Sequence, residues 1–269
     1  MRKVLLLAFF AIIFFASKAA KVDTVMVISN TMNKDVQAVI IVPDKTTNDK
    51  CPVVYLLHGY GGNAKTWIEI KPELPRIADE KGIIFVCPDG MNSWYWDSPK
   101  NKDVRYETFI SKELVSYVDS QYNTIADRKG RAITGLSMGG HGAMWNAIRH
   151  TDVFSAAGTT SGGMDIRPFP KNWEMSMQLG ELSENKEIWD YHTVINLVPT
   201  MKPGRLAIIM DCGERDFFLE VNKNLHEAFL KKGIEHDFII RPGEHNFKYW
   251  NNSIDYQILF FDKYFKSKE

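Results

Sequence analysis

The sequence contains little cysteine and no excess of either charge. Its 269 residues include three cysteines, 33 basic residues and 33 acidic residues. Three cysteines allow at most one disulfide bond, which excludes a small scaffold held together by disulfides. Cys51, Cys87 and Cys212 stand in or beside apolar runs, and we interpret them as small buried residues. The balanced charge supplies no overall field to attract nucleic acid or an anionic membrane surface, so neither partner is expected.

Metal-binding patterns are also missing. No CxxC pair and no close cluster of histidine and cysteine occurs, so no structural zinc site is predicted. The sequence has no internal repeat, no low-complexity tract and no linker long enough to separate two domains. With 45% hydrophobic and 25% charged residues, the composition is that of an ordinary folded protein. We therefore expect residues 20–269 to form one domain, as α/β enzymes of this length commonly do.

An apolar run near the start of the chain, over residues 4–15, follows two basic residues. At about 12 residues it is shorter than the ~20 that a membrane-spanning helix needs. Small residues follow over 16–20, which is the layout of a secretory signal peptide. We predict a signal peptide over residues 1–19, cleaved after Ala19 or, as second choice, after Ala20, and export to the periplasm or outside the cell. An uncleaved anchor is the alternative; after cleavage no stable membrane association is expected.

The remaining chain alternates short runs rich in valine and isoleucine with longer amphipathic stretches. This rhythm predicts the α/β class, with a mostly parallel central sheet of about eight strands flanked by helices. The predicted strands span residues 24–28, 36–42, 53–57, 83–87, 132–136, 155–160, 206–211 and 237–241, the first two forming a hairpin. The predicted helices span residues 72–81, 105–121, 139–149, 217–232 and 246–265. The pattern weakens over residues 162–203, which we interpret as an insertion that caps one side of a pocket.

The pattern Gly135-Leu136-Ser137-Met138-Gly139 lies between a predicted strand and a predicted helix. This is the G-x-S-x-G nucleophile elbow in its expected context, where a sharp turn exposes the serine hydroxyl. A purely structural turn is the alternative interpretation. The pattern predicts Ser137 as a nucleophile, with the Met138 N–H as one donor to the oxyanion that forms during acyl transfer.

A serine nucleophile needs a histidine base held by a carboxylate, and in this fold the chain order is serine, acid, histidine. Of the seven histidines, His245 follows the last predicted strand on a glycine-bearing loop and is the predicted base. The loop after the preceding strand offers Asp211, Glu214 and Asp216. We choose Asp216, because it lies past the strand end and just before a helix, where it can reach the His245 loop.

The second oxyanion donor should come from a loop after an earlier strand. His58-Gly59-Tyr60-Gly61-Gly62 is such a loop, and we predict the Tyr60 N–H as the donor, with Gly59 as second choice and as a substrate contact. A phosphate-binding loop is the alternative, but the sequence has neither the Walker lysine with serine or threonine nor G-x-G-x-x-G.

At these motifs the chain resembles the esterase D-like branch of α/β-hydrolases, which includes feruloyl and acetyl esterases of carbohydrate esterase family one, tributyrin esterases and S-formylglutathione hydrolases. The segments that carry the resemblance are residues 58–63, 92–99, 105–108, 135–140, 212–217 and 243–250. The resemblance implies the α/β-hydrolase fold, gives Ser137, Asp216 and His245 the roles of a catalytic triad, and implies no cofactor and no metal. Arg215 departs from the smaller or acidic residue expected before the acid, which leaves the details of that loop open.

Aromatic residues follow the fourth predicted strand. Trp94 and Trp96 either form a platform for a sugar or phenolic ring or are simply packed in the core and at the rim. As a platform they favour a hydroxycinnamoyl or acetylated sugar ester over a long acyl chain.

The sequence therefore predicts a secreted serine carboxylesterase that hydrolyses acetyl or feruloyl esters, with a small-molecule or carbohydrate ester as substrate, notably in plant cell walls. The alternatives are an S-formylglutathione hydrolase-like thioesterase, an acyltransferase, and a non-catalytic carbohydrate-binding relative. The oligomeric state is not predicted.

Overall fold

The computed structural model describes residues 20–44 and 50–268, so the predicted signal peptide over 1–19 lies outside the described residues. Within these ranges eight strands form one sheet in the order β1-β2-β4-β3-β5-β6-β7-β8. The first two strands pair antiparallel, as does β2 with β4, and the remaining neighbours are parallel. The strands are β1 Lys21–Ser29, β2 Lys34–Val42, β3 Val53–Leu57, β4 Ile84–Pro88, β5 Arg131–Gly135, β6 Ala156–Thr160, β7 Ala207–Gly213 and β8 Asp237–Arg241. The predicted α/β class with about eight strands is confirmed.

The central strands are buried on both faces. Every residue of β3, β4, β5 and β6 is buried. Burial on both faces explains why mostly small and apolar residues follow one another along these strands and do not alternate with polar ones. Strand β1 lies at the edge, where its positions are mostly exposed or half-buried and only Val27 and Ser29 are buried. All three cysteines are buried, as the sequence indicated.

Helices cover both faces of the sheet. They are α1 Thr66–Ile70, α2 Leu74–Lys81, α3 Tyr106–Thr108, α4 Val115–Gln121, α5 Met138–Arg149, α6 Met175–Leu179, α7 Lys186–Tyr191, α8 Leu219–Lys232 and α9 Phe247–Lys266. The helix predicted over 105–121 is interrupted by a π-helical segment, Phe109–Leu114. The spacing of the apolar residues over 105–121 predicts a helix but does not predict this wider turn. The five residues of α1 were not predicted, because they are too few to show helical periodicity. No helix in the described ranges is long and apolar enough to cross a membrane.

The segment over residues 162–203 folds against the rest of the domain. It contains α6, α7 and a 3₁₀ segment, Val194–Thr200. Its buried side chains, Met164, Leu179 and Trp189 among them, belong to the same hydrophobic cluster as strands β3 and β5.

The parallel strands bring four loops to one edge of the sheet. Strands β3 and β5 end level with each other, with Leu57 beside Gly135, and β7 ends level with β8. The loops that leave these strands carry the Tyr60 amide, Ser137, Asp216 and His245. In open α/β sheets ligands bind at this carboxyl edge, so the topology gathers the predicted site residues where a ligand is expected.

Candidate active site

Ser137 sits at the turn between β5 and α5. Its backbone has φ 55° and ψ −119°, a region that non-glycine residues rarely occupy. A Cβ atom at Gly139 would overlap the carbonyl oxygens of Leu57 and His58, so the turn can pack against β3 only with glycine there. Ser137 is 9% exposed. The turn therefore holds the serine in a strained conformation beneath a small opening.

The serine begins a chain of hydrogen-bonded side chains. Its Oγ lies 2.9 Å from Nε2 of His245, and Nδ1 of His245 lies 2.9 Å from Oδ2 of Asp216. The Asp216 side chain is fully buried, and its other oxygen accepts a hydrogen bond from the Phe218 N–H at 2.8 Å. Both carboxylate oxygens are thus occupied, which fixes the direction in which the acid faces the imidazole.

The two other acids considered from the sequence have different partners. Asp211 is buried at the end of β7, where it accepts a hydrogen bond from the Tyr249 hydroxyl and pairs with Arg241. Glu214 is exposed and pairs with Arg215 at 3.0 Å. Asp216 is the acid that the structure brings to the His245 imidazole.

Arg215, the residue that departs from the pattern of the resembled family, forms ion pairs with Glu214 and Glu244. Its side chain is largely exposed and its Nε lies 3.1 Å from Glu244, next to the base. Its backbone N–H donates to the Gly243 carbonyl at 3.0 Å, and the Glu214 N–H donates to the Arg241 carbonyl at 3.0 Å. The acid loop and the base loop are therefore joined by main-chain hydrogen bonds as well as by an ion pair.

The backbone N–H groups of the loop after β3 differ in whether they donate a hydrogen bond. The Gly61 N–H donates to Oδ1 of Asn92 at 2.9 Å, and the Gly62 N–H donates to the Gly59 carbonyl at 3.0 Å. Within the described ranges, the amides of Tyr60 and Met138 donate no hydrogen bond. Both amides that the sequence analysis predicted as oxyanion donors are therefore without an acceptor among the described residues.

His58 and Asn92, which the sequence reasoning gave no role, hold this loop. His58 is buried; its Nδ1 lies 2.7 Å from the Gly59 carbonyl, and its Nε2 accepts a hydrogen bond from the Gly90 N–H at 2.8 Å. The Asp89 carboxylate also lies 3.5 Å from Nε2, so the ring connects the loop after β3 to the loop after β4. The position of His58 directly after a predicted strand could have indicated a structural role for it. No sequence feature linked Asn92 to Gly61.

A cleft of about 450 Å³ opens beside Ser137 and His245. Gly59 of the predicted site lines it, and so do the aromatic residues Tyr60, Trp173, Phe217, Phe247 and Trp250. The Phe217 ring lies 4.2 Å from the His245 ring and stacks on Trp173 at 5.7 Å. This wall comes from four separate segments, which explains why the sequence did not predict it.

Trp94 and Trp96 do not form a platform. They are 1% and 0% exposed, their rings stack on each other at 5.5 Å, and Nε1 of Trp96 donates to Nε2 of His141 at 2.8 Å. Burial lowers the pKa of His141 to about 3, so the acceptor nitrogen is unprotonated at neutral pH. The platform expectation was wrong because the segment over residues 162–203 covers these rings. Trp173 of that segment packs against Trp94 and is one of the aromatic residues that line the cleft.

Comparisons with known proteins agree with this arrangement. A family model described as "Putative esterase" matches residues 29–261. An acetyl esterase of Caldicellulosiruptor saccharolyticus is 26% identical over 231 residues, 79% of this chain and 85% of that protein. The S-formylglutathione hydrolase of Bos taurus is 25% identical over 212 residues, 71% and 73% of the two chains. The solved structure of a ferulic acid esterase superposes with a TM-score of 0.79 at 29% identity, covering 91% of this chain and 98% of its own.

Proposed function

Because the chain belongs to the esterase family and is a serine hydrolase that acts on carboxylic ester bonds, we propose that it removes acetyl or feruloyl groups from carbohydrates through an acyl-enzyme on Ser137. The observation that carries this proposal is the unbroken hydrogen-bond chain from Ser137 through His245 to Asp216. We further propose that the protein is exported after cleavage of the signal peptide over residues 1–19, so that its substrates lie outside the cytoplasm.

The proposed reaction has two halves. Ser137 Oγ attacks the ester carbonyl carbon while its proton passes to Nε2 of His245, and Asp216 stabilises the imidazolium that forms. The amides of Tyr60 and Met138 donate to the carbonyl oxygen as it becomes negative. The C–O bond to the alcohol then breaks, and the alcohol leaves with the proton from His245. Water attacks the acyl-serine in the same way, releasing the carboxylic acid and restoring the Ser137 hydroxyl.

The cleft supports an uncharged acyl group. Its aromatic wall offers ring faces to a flat hydroxycinnamoyl group, and it leaves room for the smaller acetyl group. Glu69 lies in the same cleft and has no cationic partner among the described residues. A carboxylate there opposes a negatively charged substrate such as a glutathione thioester. This charge favours a neutral carbohydrate ester over the thioesterase alternative.

The first test is hydrolysis of p-nitrophenyl acetate and methyl ferulate by the protein lacking residues 1–19, compared with Ser137→Ala. We expect turnover of both esters by the parent and a loss of at least about 10³-fold in the variant. Ser120→Ala, a change of the same kind at an exposed helical position, should retain full activity. Equal rates for the parent and Ser137→Ala would eliminate the acyl-enzyme and favour a binding protein.

The export proposal needs a separate measurement. The full-length chain is expressed in a bacterial expression host, cells are fractionated, and the N-terminus of the recovered protein is sequenced. Mature protein beginning at Ala20 or Lys21 outside the cytoplasm is the expected result. An intact N-terminus in the cytoplasmic fraction would contradict export.

A further inference from the structure

A second cleft, of about 500 Å³, adjoins the cleft at Ser137. Gly61 and Gly62 line both, so the two meet at the loop that carries the Tyr60 amide. On the opposite side, Trp173 lines the first cleft and Glu174 lines the second. The two clefts are therefore neighbours along the same loop, close enough for the two halves of one ester to occupy them.

The two clefts differ in chemistry. Aromatic rings dominate the first, whereas the second, which we call the polar groove, is lined by carboxylate and amide side chains, namely Asp89, Asn92, Asn101, Glu174 and Gln178. Lys34, a cation at the groove, lies 4.9 Å from the centre of the Tyr106 ring. Carboxylates and amides together accept from and donate to hydroxyl groups, which both donate and accept. The polar groove thus suits a neutral molecule with many hydroxyls better than an acyl chain or an anion.

Gln178 differs from the neighbouring amides. The Asn92 oxygen accepts from the Gly61 N–H, and the Asn101 oxygen accepts from the Asp103 N–H at 3.0 Å. The Oε1 atom of Gln178 is buried and has no hydrogen-bond partner within the described ranges. An unpartnered buried oxygen is costly, and rotation of the side-chain amide toward the groove would give it a ligand hydroxyl as donor. The backbone carbonyl of Gln178 accepts from the Ser98 hydroxyl at 2.8 Å, which fixes this turn of α6 beside the groove.

We propose that the polar groove holds the sugar of the ester substrate, with Gln178 as a specificity-determining residue, while the acyl group lies in the aromatic cleft. This proposal rests on the esterase function proposed above. It assigns the two sides of one ester bond to two clefts that meet at the Tyr60 loop. Hydrogen bonds from the sugar to the groove then add to kcat/KM only when the alcohol is a sugar, since p-nitrophenol and methanol do not reach it.

The kinetic test compares an acetylated xylo-oligosaccharide with p-nitrophenyl acetate as substrates of the parent and of Gln178→Leu. Leucine keeps the approximate volume of the side chain and removes its polar atoms. We expect kcat/KM for the oligosaccharide, divided by kcat/KM for p-nitrophenyl acetate, to fall about 10-fold in Gln178→Leu. Most of this change should come from a higher KM for the oligosaccharide. Gln121→Leu, at an exposed position that lines neither cleft, should leave the ratio unchanged. An unchanged ratio in Gln178→Leu overturns the assignment.

A binding measurement separates this proposal from the esterase function. Unesterified xylo-oligosaccharide is titrated by calorimetry into Ser137→Ala and into the double variant with Gln178→Leu. Binding that weakens about 10-fold in the double variant supports the sugar groove even if no ester is turned over. Ester hydrolysis by the parent without sugar binding, or with equal binding in both variants, overturns the groove while leaving the esterase in place.

Discussion

The Asn92 side chain accepts a hydrogen bond from the Gly61 N–H at 2.9 Å, one residue beyond the proposed oxyanion donor Tyr60. The bond occupies the Gly61 N–H, whereas the Tyr60 N–H has no partner within the described ranges. We therefore expect Asn92 to act as a positioning residue, which restrains the proposed oxyanion donor through the backbone.

The first prediction concerns this bond. Asn92→Ala should lower kcat on p-nitrophenyl acetate about 10-fold and change KM less, because a loosened donor stabilises the transition state more weakly. Asn92→Asp keeps the acceptor oxygen and should recover part of the loss. Steady-state kinetics measures both variants, with the exposed Asn30→Ala as a control. A rise in KM alone, at unchanged kcat, would show that Asn92 contacts substrate and does not position the donor.

The second prediction distinguishes the two buried aspartates. Asp216→Asn should lower kcat by roughly 10³- to 10⁴-fold with little change in the thermal midpoint, since an amide favours the imidazole tautomer that cannot take the serine proton. Asp211→Asn disturbs the contacts with Arg241 and Tyr249 and should lower stability more than chemistry. Paired kinetics and thermal unfolding would show this contrast. The opposite pattern would assign the catalytic role to Asp211.

The third prediction concerns acyl selectivity. Trp173→Ala removes a ring that stacks on Phe217 in the cleft wall. The ratio of kcat/KM for methyl ferulate to that for p-nitrophenyl acetate should fall about 10-fold, because a phenolic ring loses more contact than an acetyl group. Trp173→Phe should retain most of the preference. If both substrates decline equally in Trp173→Ala, the ring supports the fold and does not select the acyl group.

The fourth prediction is a dependence of stability on pH. Glu107 is buried and accepts hydrogen bonds from Trp145 at 2.9 Å, Arg149 at 2.7 Å and His150 at 2.8 Å. Burial alone would raise the pKa of Glu107, but the hydrogen bonds from His150 and Arg149 prevail and lower the pKa from 4.5 to about 2. A lowered pKa in the folded state stabilises the protein above pH 4.5, and this stability is lost as the pH falls toward 2.

Glu107→Gln should therefore reduce the free energy of unfolding at pH 7 by roughly 3 kcal/mol. Its stability should also fall less steeply than that of the parent between pH 4.5 and 2. Urea unfolding across this pH range measures both effects, and Glu73→Gln, at an exposed position, serves as the control. Parallel curves for the parent and Glu107→Gln would contradict the lowered pKa.

Local sequence signals predicted the sheet and the residues that meet at its edge. Strands β3 and β8 begin and end at the predicted residues, because each is a short apolar run bounded by polar or turn residues. Ser137, Asp216 and His245 could be placed together because chain order and strand ends determine which loops are neighbours. The burial of Trp94 and Trp96 depends on packing against residues such as Trp173, which is 79 residues beyond Trp94 in the chain, and no local pattern predicts such packing. The cleft wall was missed for the same reason.

The hydrogen bonds that join the loops after β7 and β8 continue the pairing of those strands past their ends. Because these hydrogen bonds connect main-chain atoms, a change of side chain leaves them in place. Proline is the exception, because it has no backbone N–H to donate. Directed evolution can therefore vary the side chains around both clefts, while the main-chain hydrogen bonds keep Asp216 and His245 at the same separation. Phe217 is the exception among these residues, because its ring also packs against the His245 ring.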